Sequence, residues 1–148
     1  MKKTVPEKAI ISLVKDLYVT IDAQQWDIQR TLVSDNFIAL LGSSIQISFS
    51  SWQDKLKAFY KGFPDGKHQL DFYVVEGNRI LSVGSFSGSH QNEFMGNSAT
   101  GNRIEMSVMH LDRVIDNKIV EHIAVADLFG LINQLSQKKL QARRQNTA

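Results

Sequence analysis

The chemistry open to this chain rests on four histidines and the acids near them, because it contains no cysteine. Disulfides, thiol nucleophiles and thiolate metal ligands are thereby excluded. Two of the histidines, His110 and His122, share the stretch 103–127 with Asp112 and Asp127. An imidazole titrates near neutrality, at about 6.5 when unperturbed, so it can take or give a proton without special tuning. A carboxylate beside it can orient the ring. The stretch reads as two long strands, Arg103–Ile115 and Lys118–Ala126, around a turn at Asp116-Asn117, with an apolar helix starting directly after Asp127.

Register decides whether these groups meet. A three-residue loop over 116–118 sets His110 opposite Ala124 and Asp112 opposite His122, all on one face. A two-residue loop shifts the pairing by one, sets His110 opposite Ile123 and scatters the group. Each candidate also has a plainer reading. His110 suits a base, and equally a core histidine bonded to a neighbour. Asp112 and His122 suit an oriented dyad, and more simply a cross-strand ion pair. Asp127 precedes Leu128 at the head of the last helix, where Asp is a favoured N-cap worth roughly 1 kcal/mol. His90 ends a strand beside a polar loop and reads as a rim residue; His68 reads as surface.

The elements that must position them follow from periodicity. Residues 7–21 carry Ile10, Leu13, Val14, Leu17, Tyr18 and Ile21 as one helical stripe, with Pro6 just before it. A short helix over 26–32 places Ile28 and Leu32 on one side, 37–41 is a brief apolar segment, and 45–49 alternates as a strand. Ser51-Trp52-Gln53-Asp54 resembles a capping box opening a helix over 52–63, which Pro64-Asp65-Gly66 stops. Residues 68–76 form a strand with Leu70, Phe72 and Val74 on one face. Gly77-Asn78 is a hairpin turn in which both residues tolerate positive φ. Residues 79–90 return, with Gly84 and Gly88 marking bends or bulges. A polar loop over 91–102 leads into the histidine-bearing hairpin, and 128–135 is a final apolar helix. Helices first and a meander of strands after make an α+β arrangement: a cone of curved antiparallel sheet wrapped over the N-terminal helices, open at one end and suited to a small molecule. Trp52, Phe63, Phe94, Met106 and Met109 belong to its core, and one face of that set lines any pocket.

The chain of 148 residues suits one domain, with a core over about 7–136 and a basic tail over 137–148. A net charge of +2, concentrated in Lys138, Lys139, Arg143 and Arg144, gives no basic face interleaved with aromatics, so no nucleic-acid partner is expected. No run approaches a membrane span, and the opening Met1-Lys2-Lys3-Thr4-Val5-Pro6-Glu7-Lys8 lacks the apolar core of a signal peptide. The expectation is a soluble cytoplasmic protein without a membrane partner. His110, His122, His90 and Glu105 lack zinc-site spacing, and neither a phosphate loop nor a serine elbow is present.

Several segments in order resemble a known family: Phe63-Pro64-Asp65; Gly88-Ser89-His90; Glu93-Phe94-Met95-Gly96; Thr100-Gly101; His110-Leu111-Asp112-Arg113; Asp116-Asn117-Lys118-Ile119-Val120-Glu121-His122; and Asp127-Leu128-Phe129-Gly130-Leu131-Ile132. Together they resemble the SnoaL-like polyketide cyclase (ester cyclase) family, of the nuclear-transport-factor-2-like fold, over about 52–135. The resemblance implies a cone-shaped α+β barrel, often a homodimer, and an intramolecular aldol ring closure of a polyketide ester with no metal and no cofactor. It implies that His110 is the assisting pocket histidine and Tyr18 a pocket aromatic. It places the family's proton-abstracting acid at Ala124, where Glu121-His122-Ile123-Ala124 stands for Glu-His-Trp-Asp. Two prolines usual before Thr100-Gly101 are Ser98 and Ala99 here.

Three functions therefore stand open. The first is a cyclase or isomerase acting on a small apolar or aromatic carbonyl ligand, with His110 as leading acid/base, Asp127 or the Asp112–His122 pair as helper, and Tyr18, Trp52, Phe63, His90, Phe94, Met106 and Ala124 lining the pocket. The second is ligand binding without turnover. The third is an association module whose sheet serves to dimerise. Ala124 weighs against the first alone, since alanine cannot accept a proton.

Overall fold

The structure is a computed structural model describing residues 5–41 and 45–145, with backbone alone at Leu41 and over 138–145. Among the described residues, four helices and six strands follow in the order α1 (Glu7–Asp22), α2 (Trp26–Leu32), β1 (Val33–Leu41), β2 (Ile45–Ser48), α3 (Phe49–Gly62), β3 (Lys67–Glu76), β4 (Arg79–Ser89), β5 (Arg103–Ile115), β6 (Lys118–Ala126) and α4 (Leu128–Gln145). The strands form one curved, open sheet in the order β2-β1-β6-β5-β4-β3. It is antiparallel throughout except where β1 runs parallel to β6. The helices cover its concave face, and the architecture is the expected α+β cone.

The α1 stripe folds as the spacing predicts. Ile10, Val14, Leu17, Tyr18 and Ile21 are all buried, which removes apolar surface worth about 1.5–3 kcal/mol for each large side chain. Helix α3 starts earlier than the capping-box reading places it. Ser48 is the N-cap and accepts from the Ser51 backbone N–H at 3.3 Å, so Phe49 enters the first turn. In α2 the buried residue is Gln29, while Ile28 is half exposed; the Gln29 amide oxygen accepts from Gln53 Nε2 at 3.0 Å. The brief segment at 37–41 belongs to the longer strand β1. Helix α4 continues to Gln145 through most of the basic tail.

Two irregularities set which side chains face the cone. In β3, Asp71 is an extra residue between the Leu70↔Gly84 and Phe72↔Val83 pairs. A one-residue bulge flips every later side chain. Phe72 and Val74 therefore point outward, 58% and 46% exposed, instead of sharing a face with Leu70. Gly84 permits the close crossing there, since a Cβ on it would lie 1.9 Å from the Gln69 carbonyl oxygen. Gly88 pairs regularly with Ile104 and lies under the α3–β3 turn. At the β3–β4 turn, Gly77 alone takes a positive φ; Asn78 does not.

The second irregularity resolves the hairpin. The β5–β6 turn has two residues, Asp116 (φ 48°) and Asn117 (φ 61°), the positive pair that a tight hairpin turn requires. Val120 then bulges between the Val114↔Ile119 and Arg113↔Glu121 pairs. The extra residue restores the register expected of a three-residue loop: Asp112 pairs with His122 and His110 with Ala124.

Candidate active site

Residues that pair across the sheet on the concave side form transverse rows. One row runs Tyr73–Ser82–His110–Ala124 from β3 to β6. The next runs Val75–Ile80–Asp112–His122–Ala39 from β3 to β1. Along β5 the inward positions are Ile104, Met106, Val108, His110, Asp112 and Val114, all buried. Two polar residues in an otherwise apolar alternation mark where the core gives way to chemistry.

Asp112 is fully buried and holds two partners. Its Oδ1 lies 2.7 Å from His122 Nδ1, and its Oδ2 accepts from the Tyr18 hydroxyl at 3.3 Å. A carboxylate out of water needs such partners, because an isolated buried charge costs several kcal/mol or more. The dyad is an interior pair, with side chains 4% and 0% accessible, and not the solvated ion pair of an ordinary strand surface. Burial, and then the charge of Asp112, push the Tyr18 hydroxyl well above its ordinary range, so it stays a proton donor. Trp52 packs on the His122 ring at 4.8 Å. Asp112 takes the Nδ1 side, and His122 Nε2 has no partner among the described residues.

His110 lies between these groups and a third imidazole. Its ring is 4.6 Å from Tyr18, 5.5 Å from His122 and 5.4 Å from His68. Neither of its ring nitrogens has a hydrogen-bond partner among the described residues. Burial, followed by the neighbouring His122 and His68, holds its pKa well below the usual 6.5. His110 is therefore neutral at neutral pH, with one donor and one acceptor unused. Ser82, its cross-strand neighbour, also has a buried hydroxyl without a partner among the described residues. Ala124, opposite His110 on the other side, is exposed.

His68 is not a surface residue. Its side chain is 10% accessible, and its Nδ1 lies 2.7 Å from Oδ1 of Asp22, the last residue of α1. Asp22 also accepts from the Tyr60 hydroxyl at 2.6 Å and from the His68 backbone N–H at 2.9 Å. Asp22 stands four residues after Tyr18, hence on the buried stripe; an acid at that spacing was the available signal. His68 precedes the Asp71 bulge, which periodicity alone does not reveal.

His90 is fully buried, not at a rim. Its Nδ1 meets Thr100 Oγ1 at 3.0 Å, and its ring stacks on Phe63 at 5.5 Å. It pins the 91–102 loop, together with backbone bonds to Asn102 and Gly101. Phe63 and Phe94 pack at 5.1 Å, and Met106 pairs with Phe86 in the same end of the cone. Met106 lies six positions before Asp112 on β5, about 20 Å of strand. The sequence-predicted residues thus divide. Tyr18, Trp52, His110, Asp112, His122 and Ala124 come together; Phe63, His90, Phe94 and Met106 form an aromatic end. Asp127 caps α4, its Oδ1 accepting from the Gly130 N–H at 2.8 Å, and a Cβ on Gly130 would strike that carboxylate.

Two surface clefts lie elsewhere. One of about 630 Å³ is lined by Arg30, Ser34, Asp35 and Lys118 among others. One of about 430 Å³ lies between Gln24, Trp26, Gln53 and Lys57. Neither includes a named site residue. Among the described residues no three His, Asp or Glu side chains are grouped to hold a metal ion, and no described helix is long and apolar enough to cross a membrane.

Comparison with known proteins agrees with the fold. AclR of Streptomyces galilaeus, proposed to be a hydroxylase, is 20% identical and superposes with a TM-score of 0.83 over 89% of this chain and 98% of that one. IdmH of Streptomyces antibioticus, proposed to be a polyketide cyclase, is 24% identical with a TM-score of 0.79 over 86% and 98%. A proposed SnoaL-like polyketide cyclase of Jannaschia sp. CCS1 is 18% identical with a TM-score of 0.81 over 92% and 97%. Among curated proteins, none matches the sequence. The model of the SnoaL-like polyketide cyclases matches residues 12–135, so the whole sheet, α2, α3 and the interior polar rows fall within the match, and the chain belongs to the SnoaL-like polyketide cyclase family, of the nuclear-transport-factor-2-like superfamily.

Proposed function

We propose that this chain transfers protons at a small aromatic or apolar carbonyl compound, closing a ring by an aldol step or isomerising it, with no cofactor. His122 is the proton acceptor. The observation that carries this reading is the buried Asp112–His122 pair at 2.7 Å, one row from the exposed Ala124. Asp112 holds the Nδ1 proton, which leaves the Nε2 lone pair as base. Tyr18 stays protonated and fixes the far oxygen of Asp112. His110, neutral and unpartnered, offers a donor to the carbonyl oxygen on which negative charge develops. The nearby dyad thus takes over the task that a carboxylate at position 124 would have performed.

The test begins with a thermal-shift screen of polyketide-like aromatic esters and ketones. Binders are then followed by NMR in deuterated buffer for exchange of the hydrogen next to the carbonyl. The wild type is expected to exchange it, and His122→Gln to lose about a hundredfold in rate. Undiminished exchange in His122→Gln would sink the assignment.

A second reading, ligand binding without turnover, is favoured by one observation: Ala124 puts no ionisable group into the row that His110 occupies. Binders that stabilise the fold but never exchange would select it. In either reading we infer a homodimer formed through the convex face of the sheet.

A further inference from the structure

We propose that His68 is a second proton-transfer group of this interior, oriented by Asp22. The inference rests on the reading that the cone performs acid–base chemistry, but not on His122 being the base. Its basis is a repeated geometry. Asp22 Oδ1 lies 2.7 Å from His68 Nδ1, and Asp112 Oδ1 lies 2.7 Å from His122 Nδ1. In both dyads a buried tyrosine hydroxyl donates to the same carboxylate: Tyr60 at 2.6 Å in one, Tyr18 at 3.3 Å in the other. The two dyads flank His110, whose ring centre is 5.4 Å from His68 and 5.5 Å from His122.

Asp22 reaches His68 twice, through the ring and through the backbone N–H at 2.9 Å, so the imidazole is fixed in position and tautomer. Its Nε2 takes no partner among the described residues. The groups packed on His68 are Tyr18 and Asp22 from α1, Phe86 from β4 and His110 from β5; Tyr60 from α3 reaches it through Asp22. The Tyr60 hydroxyl is pushed far above its ordinary range by burial and then by Asp22, so it remains a donor and does not compete as a base. A tie between α1, α3 and β3 alone needs Asp22, Tyr60 and the His68 backbone. It does not need an imidazole among Tyr18, Phe86 and His110 with one nitrogen left over.

The probe is 5-nitrobenzisoxazole, which opens when a base takes its ring C–H proton. The freed electron pair forms the nitrile, the N–O bond breaks, and the oxygen leaves as a phenolate of the same molecule, seen by absorbance. The full chain is compared with His68→Ala, Asp22→Asn and His122→Gln. His68→Ala is expected to lose about a hundredfold in kcat, with KM within about twofold. Added imidazole should restore the rate in proportion to its concentration, which a purely structural residue would not permit. Asp22→Asn keeps an acceptor for Tyr60, and is expected to lower kcat and to shift the His68 ring nitrogen NMR signals. His68→Ala at the wild-type rate, or a loss that imidazole does not restore while Asp22→Asn keeps the wild-type rate, overturns the proposal. A loss in His122→Gln alone overturns it and leaves the His122 reading standing. A loss in His68→Ala alone supports it and removes His122 as the base. A wild type no faster than equimolar free imidazole overturns both.

Discussion

The residue that most clearly separates this chain from the pattern it resembles is Ala124, and its effect falls on His110. The two are directly paired across β5 and β6, where opposed Cβ atoms stand about 4.5–5.5 Å apart. An acid there would meet the imidazole. Without it, both His110 nitrogens are buried and unpaired, and burial together with two neighbouring imidazoles holds the ring neutral. The sign of the pH effect follows. The folded pKa lies below that of the unfolded chain, so below about 6.5 the unfolded state binds the proton that the folded state refuses. Stability contributed by neutral His110 is present above that pH and is lost as pH falls, by about 1.4 kcal/mol for each unit of pKa separation. His110→Phe, which carries no proton and no unpaired nitrogen, should therefore narrow the difference in melting temperature between pH 5 and pH 7.5. A difference as wide as the wild type's would count against this account. Ala124→Asp should act in the opposite sense, raising the His110 pKa in an NMR titration and increasing aldol-type turnover. At this scale the sequence was legible in part. His110, Asp112 and His122 were visible as polar residues in an apolar alternation. His68 was not, because its partner Asp22 comes from a helix ending forty-six positions earlier, and a register argument within one hairpin cannot reach it.

At the scale of elements, the strands of the last hairpin were readable to the residue, while what sets their register was not. Sequence offered two loop lengths; the molecule uses the two-residue turn and then a bulge at Val120 that restores the pairing of the longer loop. Alternation did not report the bulge, since Ile119 and Val120 are both apolar and the pattern reads equally well in either phase. The same blindness misplaced Phe72 and Val74 beyond the Asp71 bulge. Gly84 was the one local clue. It stands opposite Leu70, directly beside the bulge, and its missing side chain lets β3 pass. A Cβ at 84 would come within 1.9 Å of the Gln69 oxygen and 2.8 Å of its carbonyl carbon. Backbone is struck, not the movable end of a side chain, so the strands must part. Gly84→Ala is expected to lower stability by about 1–3 kcal/mol, measured by urea unfolding. The paired Gly77→Ala variant meets no atom within 4 Å and loses only the conformational freedom that its φ of 60° uses. Equal losses in the two would show that the crossing at Gly84 is not tight.

For the whole molecule, the two faces of the sheet carry different tasks, and the outward one bears on assembly. Beyond the Asp71 bulge its side chains form two transverse rows on β3, β4, β5 and β6: Phe72–Val83–Met109–Val125 and Val74–Leu81–Leu111–Ile123. All eight are apolar. Four of them, Phe72, Val74, Met109 and Val125, are 46–64% exposed. The rows are bordered on one side by the Ser85–Ser107 pair and on the other by Arg79, Arg113 and Glu121, the last two joined at 3.2 Å. An apolar centre with a polar rim is the anatomy of a protein interface, and a contiguous exposed patch of this kind is uncommon on a monomer. In the homodimer proposed above, a two-fold axis would set these apolar rows against those of a second copy, the two faces packing as aligned sheets about 10 Å apart. Light scattering should therefore give twice the 16.7 kDa of the chain. Met109→Lys places an ammonium in the middle of the longer-exposed row, at 48% exposure in the single chain, where an unpaired charge buried between sheets is costly. It should give the single-chain mass with the melting curve of the isolated fold retained. A wild type that scatters as a monomer at every concentration, or a Met109→Lys variant that stays at the doubled mass, would show that the convex face serves something other than pairing with its own copy.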